Sequence, residues 1–164
     1  TVPVFFFAYK YLFLAFDNFD IVCRLVDGRD PTYEAAIPKD NPNKLILDRL
    51  SFLNTLKRVS IFASEATRQV RLSIGKEQLE ISAEDLELSN NARESLPCQY
   101  EGDPMDIGFN AKFLTEMISY LDSEQVLVEL SHPSRAGIIF PYGDDDSEKK
   151  DDILMLVMPV MLAN

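Results

Sequence analysis

Two stretches of the chain repeat one pattern: NKLILDRLSFLNTLKRVSIFA at residues 43–63 and MDIGFNAKFLTEMISYL at residues 105–121. Each opens as a short alternating strand and reaches a residue able to cap a helix, Asp48 in the first and Asn110 in the second. Apolar residues then recur at helical spacing. In the first helix they are Phe52, Leu53, Leu56 and Val59. In the second, Phe113, Leu114, Met117, Ile118 and Leu121 form one stripe, with Lys112, Thr115, Glu116 and Ser119 facing the other way.

The segments after the two helices repeat as well. After the first come QVRLSIG and EQLEISA, hinged at Gly75-Lys76, and then one longer strand, ESLPCQYEG; after the second come EQVLVEL, AGIIF and DILMLVMPVML. The echoes SFLNTL with KFLTEM and RQVRLSI with EQVLVEL align the two passes. The pattern is therefore a duplicated βαβββ unit. One such unit cannot bury its helix and its sheet alone, so two copies related by a pseudo-twofold pack together. The expected fold class is α+β, with two helices packed against antiparallel sheets, in a domain spanning residues 37–164.

The stretch before the repeat begins TVPVFFFAYKYLFLAF. A membrane-spanning helix needs about 20 mostly apolar residues. Here Pro3 and Lys10 interrupt the run, and Asp17, Asn18 and Asp20 end it. No membrane span is expected. Its β-branched and aromatic residues favour a strand that pairs with FDIVCRLVDG, turning near Asp17-Asn18. Residues 1–36 thus read as the terminal hairpin of a preceding, incomplete domain, a greasy strand cut from its own core.

The formal charge is −11, so the chain as a whole repels nucleic acid and anionic membranes, and any DNA contact has to come from a local basic face. Acidic residues gather in two expected loops: Glu84, Asp85 and Glu87, and the run Asp144, Asp145, Asp146, Glu148, Asp151, Asp152. The second, GDDDSEKKDD, lacks the alternating ligand spacing of a calcium loop and reads as a solvated segment. Cys23 and Cys98 have no CxxC or Cys/His cluster beside them and read as buried reduced thiols. The chain has no Asn-x-Ser/Thr acceptor, which fits an intracellular, cytoplasmic protein. No nucleophile with a base, metal cluster or phosphate cradle is visible, and the lone His132 falls in the turn SHPSR. Neither a catalytic residue nor a cofactor nor a metal site is expected. On these residues alone, an acidic α+β protein-interaction domain unrelated to replication is one open reading. A hydrolase built on the acidic loops is another, and it requires divalent-metal binding.

RLVDGRDPTYEAAIPKDN, KRVSIF, QVRL, ISAED, YEG, IGFNAKFL and the terminal VMPVML together resemble the bacterial sliding clamp family, the beta subunit of DNA polymerase III. The resemblance runs from about Phe16 to Leu162 and includes the crossing with Pro31, Tyr33 and Pro38. It implies the DNA-clamp fold: a homodimeric ring of three-domain protomers, helices lining the hole around duplex DNA and sheets outside. It further implies a non-enzymatic processivity factor, of which less than half a chain is present here. The implied partners are the polymerase III catalytic subunit, the clamp loader and repair proteins, which insert a short linear motif into an apolar pocket.

Carried over by motif, that pocket is walled by Pro31, Ala36, Asn110, Phe113, Ser134, Ala136, Leu156, Met158, Pro159, Val160, Met161 and Leu162. Periodicity alone makes VMPVML a core strand. Ile61 and Phe62 match the apolar contact to the next protomer, and Arg49, Lys57, Arg58 and Arg68 match a weakly basic, sequence-blind face toward DNA. Three positions depart from the family pattern: Asp30 before Pro31, Ala35 where arginine is common, and Ala163-Asn164 beyond the usual terminal leucine.

Overall fold

A computed structural model describes residues 4–26, 28, 32–143 and 153–162. The acidic run at 144–152 therefore lies outside the described residues, as do Asp30, Pro31 and Ala163-Asn164. The chain divides into two compact units, Thr1–Ala36 and Ile37–Asn164.

The first unit is a three-stranded antiparallel meander, β1 (Val4–Ala8), β2 (Tyr11–Ala15) and β3 (Asp20–Arg24). The expected single strand across residues 1–16 is thus two strands. Tyr9 takes a left-handed backbone, φ 56°, and turns the chain so that Phe6 pairs with Phe13. Alternation over a long apolar run does not reveal such a turn, because Tyr9 and Lys10 supply none of the usual turn residues. The second turn falls where expected, at Asp17-Asn18, with Phe16 stacked on Phe19 at 4.5 Å. Phe6 stacks on Phe13 at 4.7 Å. In this sheet Val4, Phe5, Phe6, Phe7, Ile21 and Val22 are exposed, while Leu12, Phe13 and Leu14 are half-buried. Cys23 is exposed too, against expectation, because it sits on an edge strand of this sheet; both cysteines are free.

The second unit runs β4 (Asn43–Asp48), α1 (Arg49–Val59), β5 (Gln69–Ile74), β6 (Gln78–Asp85), β7 (Asn90–Pro97), β8 (Gln99–Glu101), then β9 (Met105–Asn110), α2 (Ala111–Tyr120), β10 (Gln125–Leu130), β11 (Gly137–Tyr142) and β12 (Met155–Val157). A five-stranded sheet has the order β12-β11-β10-β4-β8, and a four-stranded sheet the order β7-β6-β5-β9. The repeats are interlocked. The first strand of each lies in the other's sheet, β4 beside β10 and β9 beside β5, in matching register: Gln125 pairs with Asp48 and Gln69 with Asn110. The two helices pack on each other, and one continuous core fills the space between helices and sheets, with Phe52, Leu56, Phe109, Leu114 and Ile118 at its centre.

The caps are made as the residues dictate. The Asp48 carboxylate accepts from the Ser51 N–H at 2.7 Å, and the Asn110 carbonyl oxygen accepts from Lys112 and Phe113 N–H at 3.0 and 3.3 Å. These caps correct the helix echo by one residue. Counted from them, Phe52 corresponds to Leu114 and Leu56 to Ile118, all buried, while Phe113 corresponds to the exposed Ser51. Phe113 therefore leaves the expected buried stripe and stands 56% exposed.

Two strand readings change. ESLPCQYEG is not one strand. It breaks at Cys98, where the chain leaves β6 and joins β4 in the other sheet. Glu84 and Asp85 end β6 rather than lying in a loop, and Asp85 is 8% exposed because its carboxylate accepts from the Glu87 and Leu88 N–H groups of the next turn.

Candidate functional site

The end of the second repeat is where exposed apolar side chains concentrate on the second unit. β12 pairs with β11 through Gly137 with Val157 and Ile138 with Leu156; Ala136 directly precedes this ladder and Met158 directly follows it. α2 packs against β12. After Val157 the chain leaves this sheet at Met158-Pro159 and touches the edge of the other: the Val160 N–H donates to the Gly108 carbonyl of β9 at 2.9 Å. Of VMPVML only Val157 is buried. Met158 and Met161 are 62% and 84% exposed, with Leu156, Pro159, Val160 and Leu162 half-buried between them. The core-strand expectation fails because Pro159 cannot donate to a ladder, so pairing stops and restarts in another sheet.

Gly108 is what lets the tail lie there. A Cβ at this position would stand 2.8 Å from both the Val160 carbonyl oxygen and Leu162 Cδ2. A lone glycine inside a strand, MDIGFN, is the sequence signal for such an approach, and strand alternation by itself takes no account of it.

Register places Leu156 on β12 beside Ile138, while Met158, Pro159 and Val160 follow in the segment that crosses to β9; α2, which is capped by Asn110 and carries Phe113, lies against β12. Ser134 stands in the connecting turn, where its N–H donates to His132 Nδ1 at 3.2 Å and its hydroxyl lies 2.8 Å from the same nitrogen. His132 is thereby a turn-forming residue. Ala36, in the first unit, closes the 3-10 turn Tyr33–Ala35 and is exposed. The methionines and Leu162 offer adaptable apolar surface, suited to a flexible peptide rather than to a reaction. A concavity of about 710 Å³ lies elsewhere, on the polar outer face of the four-stranded sheet, where Arg71 faces Asp106 and Arg93 faces Glu80; among the described pocket positions only Leu162 lines it.

Ile61 and Phe62 form a 3-10 turn after α1 and are 77% and 40% exposed, so neither is a core residue. The four basic residues are not equivalent. Arg49 Nε donates to the Ser123 carbonyl at 2.6 Å and its N–H to Glu124 at 2.9 Å, fastening α1 to the chain beyond α2. Arg58 forks onto Glu94 of β7 at 2.6 and 2.8 Å and also donates to Thr55. Nothing in the sequence pattern points to Glu94 as its partner. The guanidinium holds the Glu94 carboxyl below its ordinary range and the carboxylate raises Arg58, so this charge is already compensated. Lys57 and Arg68 are exposed.

The family described as DNA polymerase III beta subunit, C-terminal domain, matches residues 34–158. The chain belongs to this family. It is 32% identical to the beta sliding clamp of Pseudomonas putida over 145 residues, which is 88% of this chain and 38% of that protein. It is also 32% identical to the beta sliding clamp of Rickettsia bellii over 161 residues, 92% of this chain and 40% of the relative. Among solved structures, a sliding clamp from Bartonella birtlesii bound to griselimycin superposes with a TM-score of 0.80 at 27% identity, covering 98% of this chain and 41% of that one. The polymerase III beta subunit of Pseudomonas aeruginosa gives 0.81 at 26% identity, covering 96% and 42%. The α+β architecture is therefore the DNA-clamp fold, and the chain spans about two fifths of the length of the beta subunits it matches.

Proposed function

We propose that this chain is the C-terminal portion of a DNA polymerase processivity clamp, a cytoplasmic, non-catalytic accessory subunit. In full length it closes a homodimeric ring around duplex DNA and holds the polymerase III catalytic subunit and the clamp loader by short apolar motifs. The observation that carries this reading is the exposed tail in a chain of the beta-subunit family. Met158 and Met161 face solvent beside the helix that carries Phe113, where a merely structural strand would be buried. Residues 1–36 are the end of a middle domain, a reading supported by the many apolar side chains their three strands leave exposed. Ile61 and Phe62 are the ring contact, exposed as a contact must be before assembly. Lys57 and Arg68 carry the DNA-facing charge, with Arg49 and Arg58 serving mainly to hold the fold. Sequence-blind attraction to phosphates needs no more than such a weak basic lining.

The test is fluorescence anisotropy of a labelled Gln-Leu-Ser-Leu-Phe peptide titrated with the chain and with a Met158→Ala/Leu162→Ala variant. Saturable binding by the parent, lost in the variant, is expected. Equal binding by both would place the peptide somewhere other than the tail and overturn the assignment.

A further inference from the structure

Asn41 stands just before β4, in the segment that opens the second unit, and it is 9% exposed. Its amide nitrogen donates to two carbonyls on different strands: Glu129 of β10 at 3.1 Å, and Ala136, at the entry to β11, at 3.3 Å. These two carbonyls flank the turn 131–136, where the strands separate and the backbone ladder has run out; the last paired rung before it is Glu129 with Ile138. The two N–H groups of one amide thus span the open mouth of the hairpin. Four positions earlier, Ile37 packs on the small outer cluster of Leu127, Ile138 and Phe140, so the segment is seated on the same two strands by an apolar contact as well.

The amide is retained although it is only partly satisfied. Among the described residues, Asn41 Oδ1 is buried without a partner, as is the Ser131 hydroxyl in the same turn. A buried polar group with an unpaired acceptor is costly, so a residue whose only task was to fill space here would be apolar. What the amide alone provides is a fixed separation between Glu129 and Ala136. Ala136 leads directly into the rung Gly137 with Val157, after which the chain runs on to Met158 and Pro159.

We propose that Asn41 is a positioning residue for the tail: by holding the mouth of the β10–β11 hairpin closed it sets where Ala136, and through it β12 and Met158, stand. The inference rests on the partner-peptide reading for its consequence in binding, but the mechanical coupling itself does not. A peptide that contacts Met158 is then sensitive to Asn41 without touching it.

The experiment measures amide hydrogen exchange and peptide anisotropy together on the 164-residue chain and two variants, Asn41→Ala and Ser131→Ala. In Asn41→Ala, exchange rises in residues 131–138 and 155–160 and stays at the parent rate in β5 and β6, while the Gln-Leu-Ser-Leu-Phe peptide binds about tenfold more weakly, the effect of one lost positioning interaction. Ser131→Ala removes a hydroxyl with no partner among the described residues and leaves both readouts unchanged. Unchanged exchange in the tail, or a rise spread evenly over both sheets, overturns the coupling. If the parent binds no peptide, the proposed function fails while exchange alone still decides the role of Asn41. A milder Asn41→Ser variant, read by exchange, decides the matter should Asn41→Ala not fold.

Discussion

The two repeats end in the same manoeuvre and put it to opposite uses. In the first, the chain leaves β7, crosses at Cys98 and becomes β8 on the edge of β4; in the second it leaves β12, crosses at Pro159 and meets the edge of β9. The first crossing is locked on two sides. Cys98 and Tyr100 N–H groups donate to Glu77 and Lys76 at 3.0 Å, the other edge pairs with β4, and Tyr100 is 6% exposed with its hydroxyl donating to the Asp103 carbonyl at 2.9 Å. Burial pushes both the Cys98 thiol and the Tyr100 phenol above their ordinary pKa values. The second crossing makes, among the described residues, one bridge, Gly108 with Val160, and leaves its methionines in water. Duplication supplied two equivalent edges; one copy uses its last segment for stability and the other keeps it available.

The sharpest way to break this contrast is to truncate each crossing. Tyr100→Ala should destabilise the chain by about 3 kcal/mol or more, the usual result of emptying a buried aromatic site. Met158→Ala should cost less than about 0.5 kcal/mol, as for exposed positions generally. Urea unfolding midpoints of the two variants measure both, and equal losses would show that the tail is as structural as β8.

A second perturbation acts on the bridge itself. Gly108→Val forces its side chain against the Val160 carbonyl and Leu162, and should cost about 1–3 kcal/mol, as overpacking does. It should also release residues 158–162 to early proteolytic cleavage. An intact tail under limited proteolysis would mean that Leu162 can move aside without losing its seat.

The smallest effect separates the two caps. Asp48→Ala and Asn110→Ala should each cost about 1 kcal/mol at neutral pH. Hydrogen bonds from Ser51, with help from the Arg49 charge, outweigh desolvation and hold the Asp48 carboxyl below its ordinary value of 3.8. Its contribution is thus fully present above that value and is lost as pH falls through the lower, folded-state value. The difference between wild type and Asp48→Ala should shrink between pH 7 and the acid limb of a urea titration, whereas the Asn110→Ala difference should not depend on the cap's own protonation. A pH-independent Asp48 difference would show that its carboxylate is not the capping group.

The repeat, both caps and the α+β class are legible in the sequence because each rests on local rules: alternation, helical spacing and the Asx side chain. A proline such as Pro159 announces that a ladder stops, but where the chain goes next is not legible. Cys98 and Pro159 change the sheet to which the chain belongs, and that depends on which distant edge is vacant rather than on neighbouring residues. Phe113 is misplaced when letters are matched instead of caps. The apolar tail shows itself only through family resemblance, since Leu156, Met158 and Met161 carry the same letters whether buried or exposed. The pairing of Arg58 with Glu94 is not legible, because the two stand far apart in sequence.

The interlocked strands bear on how the chain is made. Within its own repeat β4 pairs only with β8, and its other edge stays open until β10 exists, as does an edge of β5 until β9 arrives; the pair Asp48 with Gln125 spans most of the unit. On a ribosome, the first repeat therefore emerges with one edge of β4 and one edge of β5 unpaired and must wait for its twin to close them. Such long-range closure slows folding, and it leaves no stable half-product: the second unit should appear in one late step or not at all.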